Sequence, residues 1–381
     1  MNVPKLRFKE FNDEWVEDKI NSLVELNPKN PSLPESFIYI DLESVSNGIL
    51  LQEKIINKND APSRAQRQVK LNDILYQTVR PYQKNNLFID KLSNLPYIAS
   101  TGYAIMREKK IYQKFLFNKL HTDIFVNEVL DNCTGTSYPA INSNDLGNIK
   151  IYYPNNVKEQ EKIGNFLSLL DKKIELQTKK IEDLKLFKLE LREKLLKKYE
   201  NEKIELKDIL MKWNKKNKSG EYNYVESVSN KYGFIAQNEQ FEDRTVASND
   251  TTNYYVIEKG VFAYNPSRLN VGSLALKDND KISLVSPLYE CFTTNQDKYF
   301  LYEWFNSKEF KKGTASKFEG GVRNTLNFSN LCKIKISLPS IENQNKISNL
   351  LSLYNSLINL ENEKLNKLNT LKKGLMQNMF V

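Results

Sequence analysis

Two stretches of this chain carry a helical rhythm longer than anything around them. After Pro154, with Asn156 placed as an N-cap and Glu159 three residues on, apolar residues recur at alternating spacings of four and three: Ile163, Leu167, Leu170, Ile174, Ile181, Leu184, Leu191 and Leu195. The second stretch gives Ile347, Leu351, Tyr354, Ile358, Leu365, Leu368, Leu375 and Met379, each 184 positions after its counterpart. Both are heptad seams. Polar residues interrupt the first at Gln177 and Lys188 and the second at Glu361 and Lys372, at the same heptad places. A polar residue in a heptad core costs stability and fixes alignment, so the shared interruptions predict that the two helices are partners. About 40 residues each, at 1.5 Å per residue, make rods of about 60 Å. The chain must leave one helix, build a whole domain and return along the other. That favours an antiparallel pair with an internal pseudo-two-fold axis and one globular head at each end.

The heads repeat as well. LGNIKIYYP at 146–154 returns as LCKIKISLP at 331–339, and a Gln follows each closing Pro, at 160 and 344. Upstream, ESVSN at 43–47 recurs at 226–230, DILY at 73–76 corresponds to VFAY at 261–264, and FLF at 115–117 to FLY at 300–302. Short β-rich runs such as Phe37–Leu42 and Tyr254–Ile257 lie between Gly, Pro, Asn and Ser turns, whereas Ile111–Leu120 and Tyr299–Asn306 look helical. The mixture predicts an α+β fold, divided into a head over 1–155, a helix over 156–200, a second head over 201–340 and a helix over 341–381.

The composition, 40% hydrophobic and 27% charged, suits a soluble globular protein. Lys and Arg number 56 against 47 Asp and Glu, a net charge of +9 and a pI near 9.0, which favours a polyanionic partner such as nucleic acid or an anionic membrane. The first residues, MNVPKLRFKEF, form no apolar leader, and no run approaches the roughly 18 apolar residues of a membrane span, so a cytoplasmic protein is expected, with no membrane partner. Cys133, Cys291 and Cys332 are odd in number and far apart, and His121 is the single histidine; the pattern predicts packing thiols, with neither a disulfide framework nor a metal site.

Catalytic patterns are missing in turn. Asn265-Pro266-Ser267-Arg268 lacks the second Pro and the aromatic of an adenine-gripping N-P-P-Y loop, and no G-x-G turn follows a strand. Glu108-Lys109-Lys110 reads as a solvated turn rather than part of a nuclease metal site, and no phosphate-binding G-x-x-x-x-G-K-[ST] loop occurs. The chain is therefore expected to bind rather than to catalyse. The basic charge leaves nucleic acid as a candidate ligand, and a coiled-coil scaffold that binds no DNA is the alternative.

DNA reading needs cations for phosphates and Arg, Lys, Asn or Gln for base edges. In the first head the loops 61-APSRAQRQVK and 77-QTVRPYQKNN offer Arg64, Arg67, Lys70, Arg80, Tyr82, Lys84 and Asn85; the second head offers Arg244, Ser267, Arg268 and Asn270. Arg80 and Arg268 each follow a matched strand by four residues. The turns Thr134–Tyr138 and Glu319–Arg323, the latter carrying Arg323, are small-residue loops that let backbone approach a phosphate.

The plan of domain, long helix, domain, long helix resembles the specificity subunit of Type I restriction-modification enzymes over nearly the whole chain. The stretches that carry the resemblance best are GTSYPAINSNDLGNIKIYYPNNVKEQEKIGNFLSLLDKKI and GGVRNTLNFSNLCKIKISLPSIENQNKISNLLSLYNSLI, with GVFAYNPSRLNVGSLAL from Gly260 in support. One departure is Asn343-Gln344, where the family has Glu-Gln. The resemblance implies two pseudo-symmetric target-recognition domains separated by a pair of long antiparallel coiled-coil helices. Each domain would read one half of a split double-stranded DNA target, and divergence between the heads would reflect different half-sites. Two modification subunits would dock on the helices, bind S-adenosylmethionine and methylate adenine, and restriction subunits would add translocation and cleavage driven by ATP and Mg. The chain itself would hold no cofactor.

Overall fold

The structure, a computed structural model, describes residues 3–29, 32–46, 48–199, 202–230, 233–236, 250–269, 272–315, 317 and 325–381. The chain divides into two compact units: unit 1 comprises Met1–Lys179 with Glu363–Val381, and unit 2 comprises Lys180–Asn362.

In unit 1 a four-stranded antiparallel sheet runs in the order Val24–Leu26, Tyr103–Glu108, Ile74–Gln77, Leu87–Phe88. Side chains alternate across a strand, so the buried run Ile-Leu-Tyr-Gln serves two cores at once. Ile74, Tyr76, Ala104 and Met106 pack on one side with Phe115 and Phe125, from the helices Gln113–Lys119 and Asp123–Asp131. Leu75, Leu87, Tyr103 and Ile105 pack on the other side with Ile38 and Tyr97, from a second sheet ordered Lys54–Asn57, Ser36–Ile40, Tyr97–Ser100, Ala65–Val69.

Unit 2 repeats the first sheet strand for strand: Leu210–Lys212, Glu290–Thr294, Phe262–Tyr264, Leu274–Leu276. Its core is more aromatic. The rings of Phe262 and Phe292 stack at 4.9 Å, and Phe305 meets both edge-on. Helices Lys298–Phe305 and Lys308–Ala315 stand where unit 1 has its two.

The repeated Gln does the same work in both units. Gln160 Nε2 donates to the Pro154 carbonyl at 2.8 Å, and its Oε1 accepts from the Tyr112 amide at 2.8 Å. Gln344 Nε2 donates to the Pro339 carbonyl at 2.9 Å, and its Oε1 accepts from the Asp297 amide at 3.1 Å. One buried amide therefore ties the end of a strand, the start of a long helix and the start of a short one. Leaving those partners unmade costs about 1–3 kcal/mol per buried group. The preceding Glu159 is buried too, paired with Arg7 at 2.7 and 2.8 Å. Asn343 stands in its place in unit 2, and a neutral amide needs no counter-charge there.

The long helices span Val157–Lys198 and Ile341–Met379. Within unit 2, Lys180 bonds Glu361 at 3.0 Å and the Phe187 ring meets Tyr354 at 5.4 Å, so seven residues forward on one helix match seven back on the other. The segments run antiparallel. Within unit 1, Asp171 pairs with Lys372, while Ile163 and Leu167 share a cluster with Met379.

One expectation needs revision. The first members of each seam serve the heads: Ile163 and Leu167 belong to the unit 1 core beside Phe115, and Ile347 and Leu351 to the unit 2 core beside Phe300. Leu170, Ile181 and Ile358 are buried, whereas Ile174, Leu184, Tyr354, Leu365 and Leu368 are partly so. Three of the polar breaks pair with charged side chains. Lys188 bonds Glu303 of the helix Lys298–Phe305 at 2.6 Å, Glu361 takes Lys180, and Lys372 takes Asp171. A heptad pattern assumes that a second helix faces every seam position, but a globular core supplies part of that surface here.

Candidate nucleic-acid interface

The loop that leaves strand Ile74–Gln77 is held in an uncommon shape. Arg80 and Lys84 have left-handed backbones, φ 54° and 55°, on either side of the 3-10 turn Pro81–Gln83. Each such residue with a Cβ costs roughly 1–2 kcal/mol, so the surroundings must over-determine the loop. Gln77 does much of this. Its Nε2 donates to the Val79 carbonyl at 2.7 Å and to Gln83 Oε1 at 2.8 Å, and its Oε1 accepts from the Asn85 amide at 3.1 Å. Asn86 Oδ1 accepts from the Gln77 amide at 2.8 Å.

The same loop is pinned to the start of helix Asp123–Asp131. Lys84 Nζ donates to the His121 carbonyl at 3.0 Å and to Asp123 Oδ1 at 2.7 Å, which holds the Asp123 carboxyl below its ordinary pKa. His121 Nδ1 lies 2.7 Å from the Phe117 carbonyl and donates to it, leaving Nε2 to accept from Asn86 Nδ2 at 3.4 Å. Burial pushes the His121 pKa down to about 4, so the ring is neutral near pH 7.

The small-residue turn closes over the loop from the other side. The Arg80 amide donates to the Pro139 carbonyl at 2.7 Å, and the Ile141 amide donates to the Thr78 carbonyl at 3.0 Å. The Arg80 guanidinium lies 4.2 Å from the centroid of the Tyr138 ring. Tyr138 and Tyr82 are exposed, at 64% and 49%. The result is a planar cation stacked on an aromatic ring beside a second exposed aromatic, a set able to grip a phosphate or a guanine edge.

Unit 2 builds the equivalent loop with different side chains. The Leu326 amide donates to the Pro266 carbonyl at 3.1 Å, repeating Ile141 to Thr78. The Gly272 amide donates to the Leu269 carbonyl at 2.9 Å, repeating Lys84 to Pro81 at 3.0 Å, and Gly272 is left-handed at φ 92°. Asn265 Oδ1 accepts from the Ser267 amide at 3.0 Å, and Ser267 and Arg268 are exposed. By these bonds Arg80 and Arg268 occupy equivalent places.

The other candidates separate. Arg64 and Lys70 are exposed at the two ends of strand Ala65–Val69. Arg67 leaves the candidate set because its guanidinium turns inward, bonding Asn27 Oδ1 at 2.5 Å and the Tyr103 carbonyl, and burial lowers its pKa. Asn85 is partly buried beside Gln77. Arg244, Asn270 and Arg323, with the turn Glu319–Arg323, lie outside the described residues. Gln77, Asn86 and His121, which shape the loop, were not among the candidates; the partners of His121 lie up to 37 positions away, beyond a local pattern. Among the described residues no group of three His, Cys, Asp or Glu could hold a metal ion, and no helix is long and apolar enough to cross a membrane.

Comparison with known proteins agrees with this architecture. A chain from a structural study of complex assembly and conformational transition of the type I R-M system superposes with a TM-score of 0.59 at 19% identity, covering 96% of this chain and 97% of that one. The Type-I restriction-modification system S subunit from M. genitalium gives 0.57 at 16% identity, covering 100% and 99%. At these identities the likeness concerns the fold. In sequence, the Type I restriction enzyme HindI specificity subunit of Haemophilus influenzae is 30% identical over 147 residues, 37% of this chain. The match spans 31% of that relative's length. The family model described as Type I restriction modification DNA specificity domain matches twice, over residues 12–186 and 198–370. The chain belongs to the family of Type I restriction modification DNA specificity domains and carries two copies of it.

Proposed function

We propose that the chain is the non-catalytic DNA-reading subunit of a Type I restriction-modification complex, each unit reading one half of a bipartite double-stranded target through its loop around Arg80 or Arg268. The observation that carries this reading is the pair of equivalent loops, matched by two backbone hydrogen bonds and each presenting an arginine. Tyr82, Lys84, Asn85 and Tyr138 beside Arg80, Ser267 beside Arg268, and Arg64 and Lys70 at the ends of strand Ala65–Val69 add phosphate and base contacts, with Arg244, Asn270 and Arg323 added from sequence. The seam residues set the spacing between the two half-sites.

Two modification subunits dock on the helices. Leu169 and Leu176 in unit 1 are more than half exposed, and so, in unit 2, are Leu186, Leu353 and Leu360, apolar positions in each unit that suit contact with another protein chain. The family is consistent with a chain that holds no cofactor of its own. S-adenosylmethionine belongs with the modification subunits, and ATP and Mg with the restriction subunits. Such a complex acts in the cytoplasm.

Methylome sequencing of cells expressing this chain with its modification subunit is expected to reveal a split adenine motif. On that motif, Arg268→Ala should weaken binding by about 1–3 kcal/mol if the arginine reads a base, and relax specificity in the second half-site only. Equal loss on every sequence would make Arg268 a phosphate contact. Affinity that ignores salt, with no new motif, would return the chain to a scaffold role.

A further inference from the structure

The helices that lead into the two small-residue turns are equivalent, Asp123–Asp131 in unit 1 and Lys308–Ala315 in unit 2, yet their outer faces carry opposite charge. In unit 1 Asp123, Glu128 and Asp131 are exposed and the helix has no basic residue. In unit 2 Lys308, Lys311 and Lys312 are exposed, opposite the buried Phe310 and Thr314, and Lys317 follows. The one acid of that helix, Glu309, is engaged by Lys203 at 2.8 Å and by the Trp304 indole at 3.2 Å. Among the described residues no acidic side chain forms an ion pair with the ammonium of Lys308, Lys311 or Lys312; the Glu193 carboxylate, at the start of the helix, accepts instead from the Lys308 backbone amide at 3.1 Å.

The reversal reaches into the recognition loop. In unit 1 Asp123 is bound to Lys84 at 2.7 Å. The equivalent places in unit 2 are Lys308 and Gly272, so neither half of the pair is there and the lysine faces solvent. An acidic helix beside the first loop repels a phosphate strand, whereas three unpaired ammonium groups on one turn-spaced face attract it.

We propose that Lys308, Lys311 and Lys312 form a phosphate-backbone contact for duplex DNA flanking the second half-site, made by unit 2 and without a counterpart in unit 1. The proposal rests on the DNA-reading function above and adds to it a sequence-independent, asymmetric grip. Unit 1 spends its equivalent helix on fixing the loop, and unit 2 spends it on the DNA.

The test uses the full chain assembled with its modification subunit and carrying Lys308→Gln, Lys311→Gln and Lys312→Gln together. Affinity is measured against salt on a duplex bearing the methylated motif and on one of random sequence. The expected result is equal weakening on both duplexes and a salt slope shallower by about 2–3, at about 0.9 per phosphate contact. An unchanged slope in an intact assembly overturns the proposal, as does a loss confined to the motif duplex. Failure of the triple variant to assemble with the modification subunit also overturns it, making the face a subunit interface. A wild-type complex with no preference for any motif overturns the function itself. Preference retained with an unchanged slope overturns only the lysine contact.

Discussion

Glu43 and Glu226 open identical ESVSN segments in equivalent hairpins, yet Glu43 is exposed, whereas Glu226 is buried and bonded to Lys277 at 2.5 Å. The explanation lies on another strand. Lys277 occupies the place that Ile89 holds in unit 1: the Ile89 amide donates to Asp73 and its carbonyl accepts from Asn72, just as the Lys277 amide donates to Val261 and its carbonyl accepts from Gly260. Unit 1 fills the site with a buried aliphatic side chain, leaving its glutamate in water; unit 2 fills it with an ion pair. A buried pair of this kind contributes little beyond a well-packed hydrophobic replacement, but half of it alone is strongly destabilising. The two units thus share a backbone while their interiors follow different chemistry.

The sharpest way to break the comparison is to remove one ion. Lys277→Met leaves Glu226 buried without a counter-charge and should cost about 3–5 kcal/mol, read as a lower denaturant midpoint and faster hydrogen exchange in unit 2 peptides. Combining Lys277→Ile with Glu226→Leu should recover most of that loss, and failure to recover would mean the pair holds the hairpin in a way Ile89 does not.

Next in size is pH. His121 belongs to unit 1, and its folded pKa, about 4, lies below its ordinary value of 6.5. The unfolded chain therefore binds the extra proton first as pH falls. Its contribution is complete above pH 6.5 and is lost as pH drops toward 4, by up to about 3 kcal/mol. His121→Asn should flatten the acid limb of the stability profile for unit 1 and leave unit 2 unaffected.

A smaller effect is expected at Gly164, where an added Cβ would stand 2.7 Å from the Phe115 amide nitrogen. Gly164→Ala should destabilise unit 1 by about 1–3 kcal/mol despite the better helix propensity of alanine. Unit 2 carries Ser348 at the matching place, and Ser348→Ala should change thermal stability little.

The smallest effect concerns the loop itself. Lys84→Ala removes an ion pair whose acid is 62% exposed and should cost under about 1 kcal/mol, while raising the Asp123 pKa in an NMR titration. Lys84→Gly installs the residue of unit 2 and relieves the left-handed backbone, so it should be nearer neutral than Lys84→Ala.

Much of the fold was legible because its carriers are local. The strand, Pro, Gln and helix order of LGNIKIYYP and LCKIKISLP stands in both units, and the Gln bonds the nearby Pro carbonyl in each. The matched strands DILY and VFAY likewise placed Arg80 and Arg268 on equivalent loops. What stayed hidden depends on partners distant in sequence. Arg67 looks like a loop cation until Asn27, 40 positions earlier, claims it. Lys188 looks like a break in a coiled coil until Glu303 meets it, 115 positions later. The opposite fates of two identical glutamates could not be read from a segment they share.

The membership of unit 1 bears on how the protein is made. Its core contains Met379 and Phe380, although its other members end at Leu167 and unit 2 is a single continuous stretch. On a ribosome the first head emerges early but cannot be finished until residues 363–381 arrive, while unit 2 can close as soon as its own stretch is out. Sheet and helices of unit 1 must wait through the synthesis of about 180 residues with Phe115 and Ile163 incompletely covered, the interval in which exposed apolar surface invites aggregation. The late-synthesised half should therefore be the first to become native, and yield in the cell should depend on how quickly translation delivers the final helix.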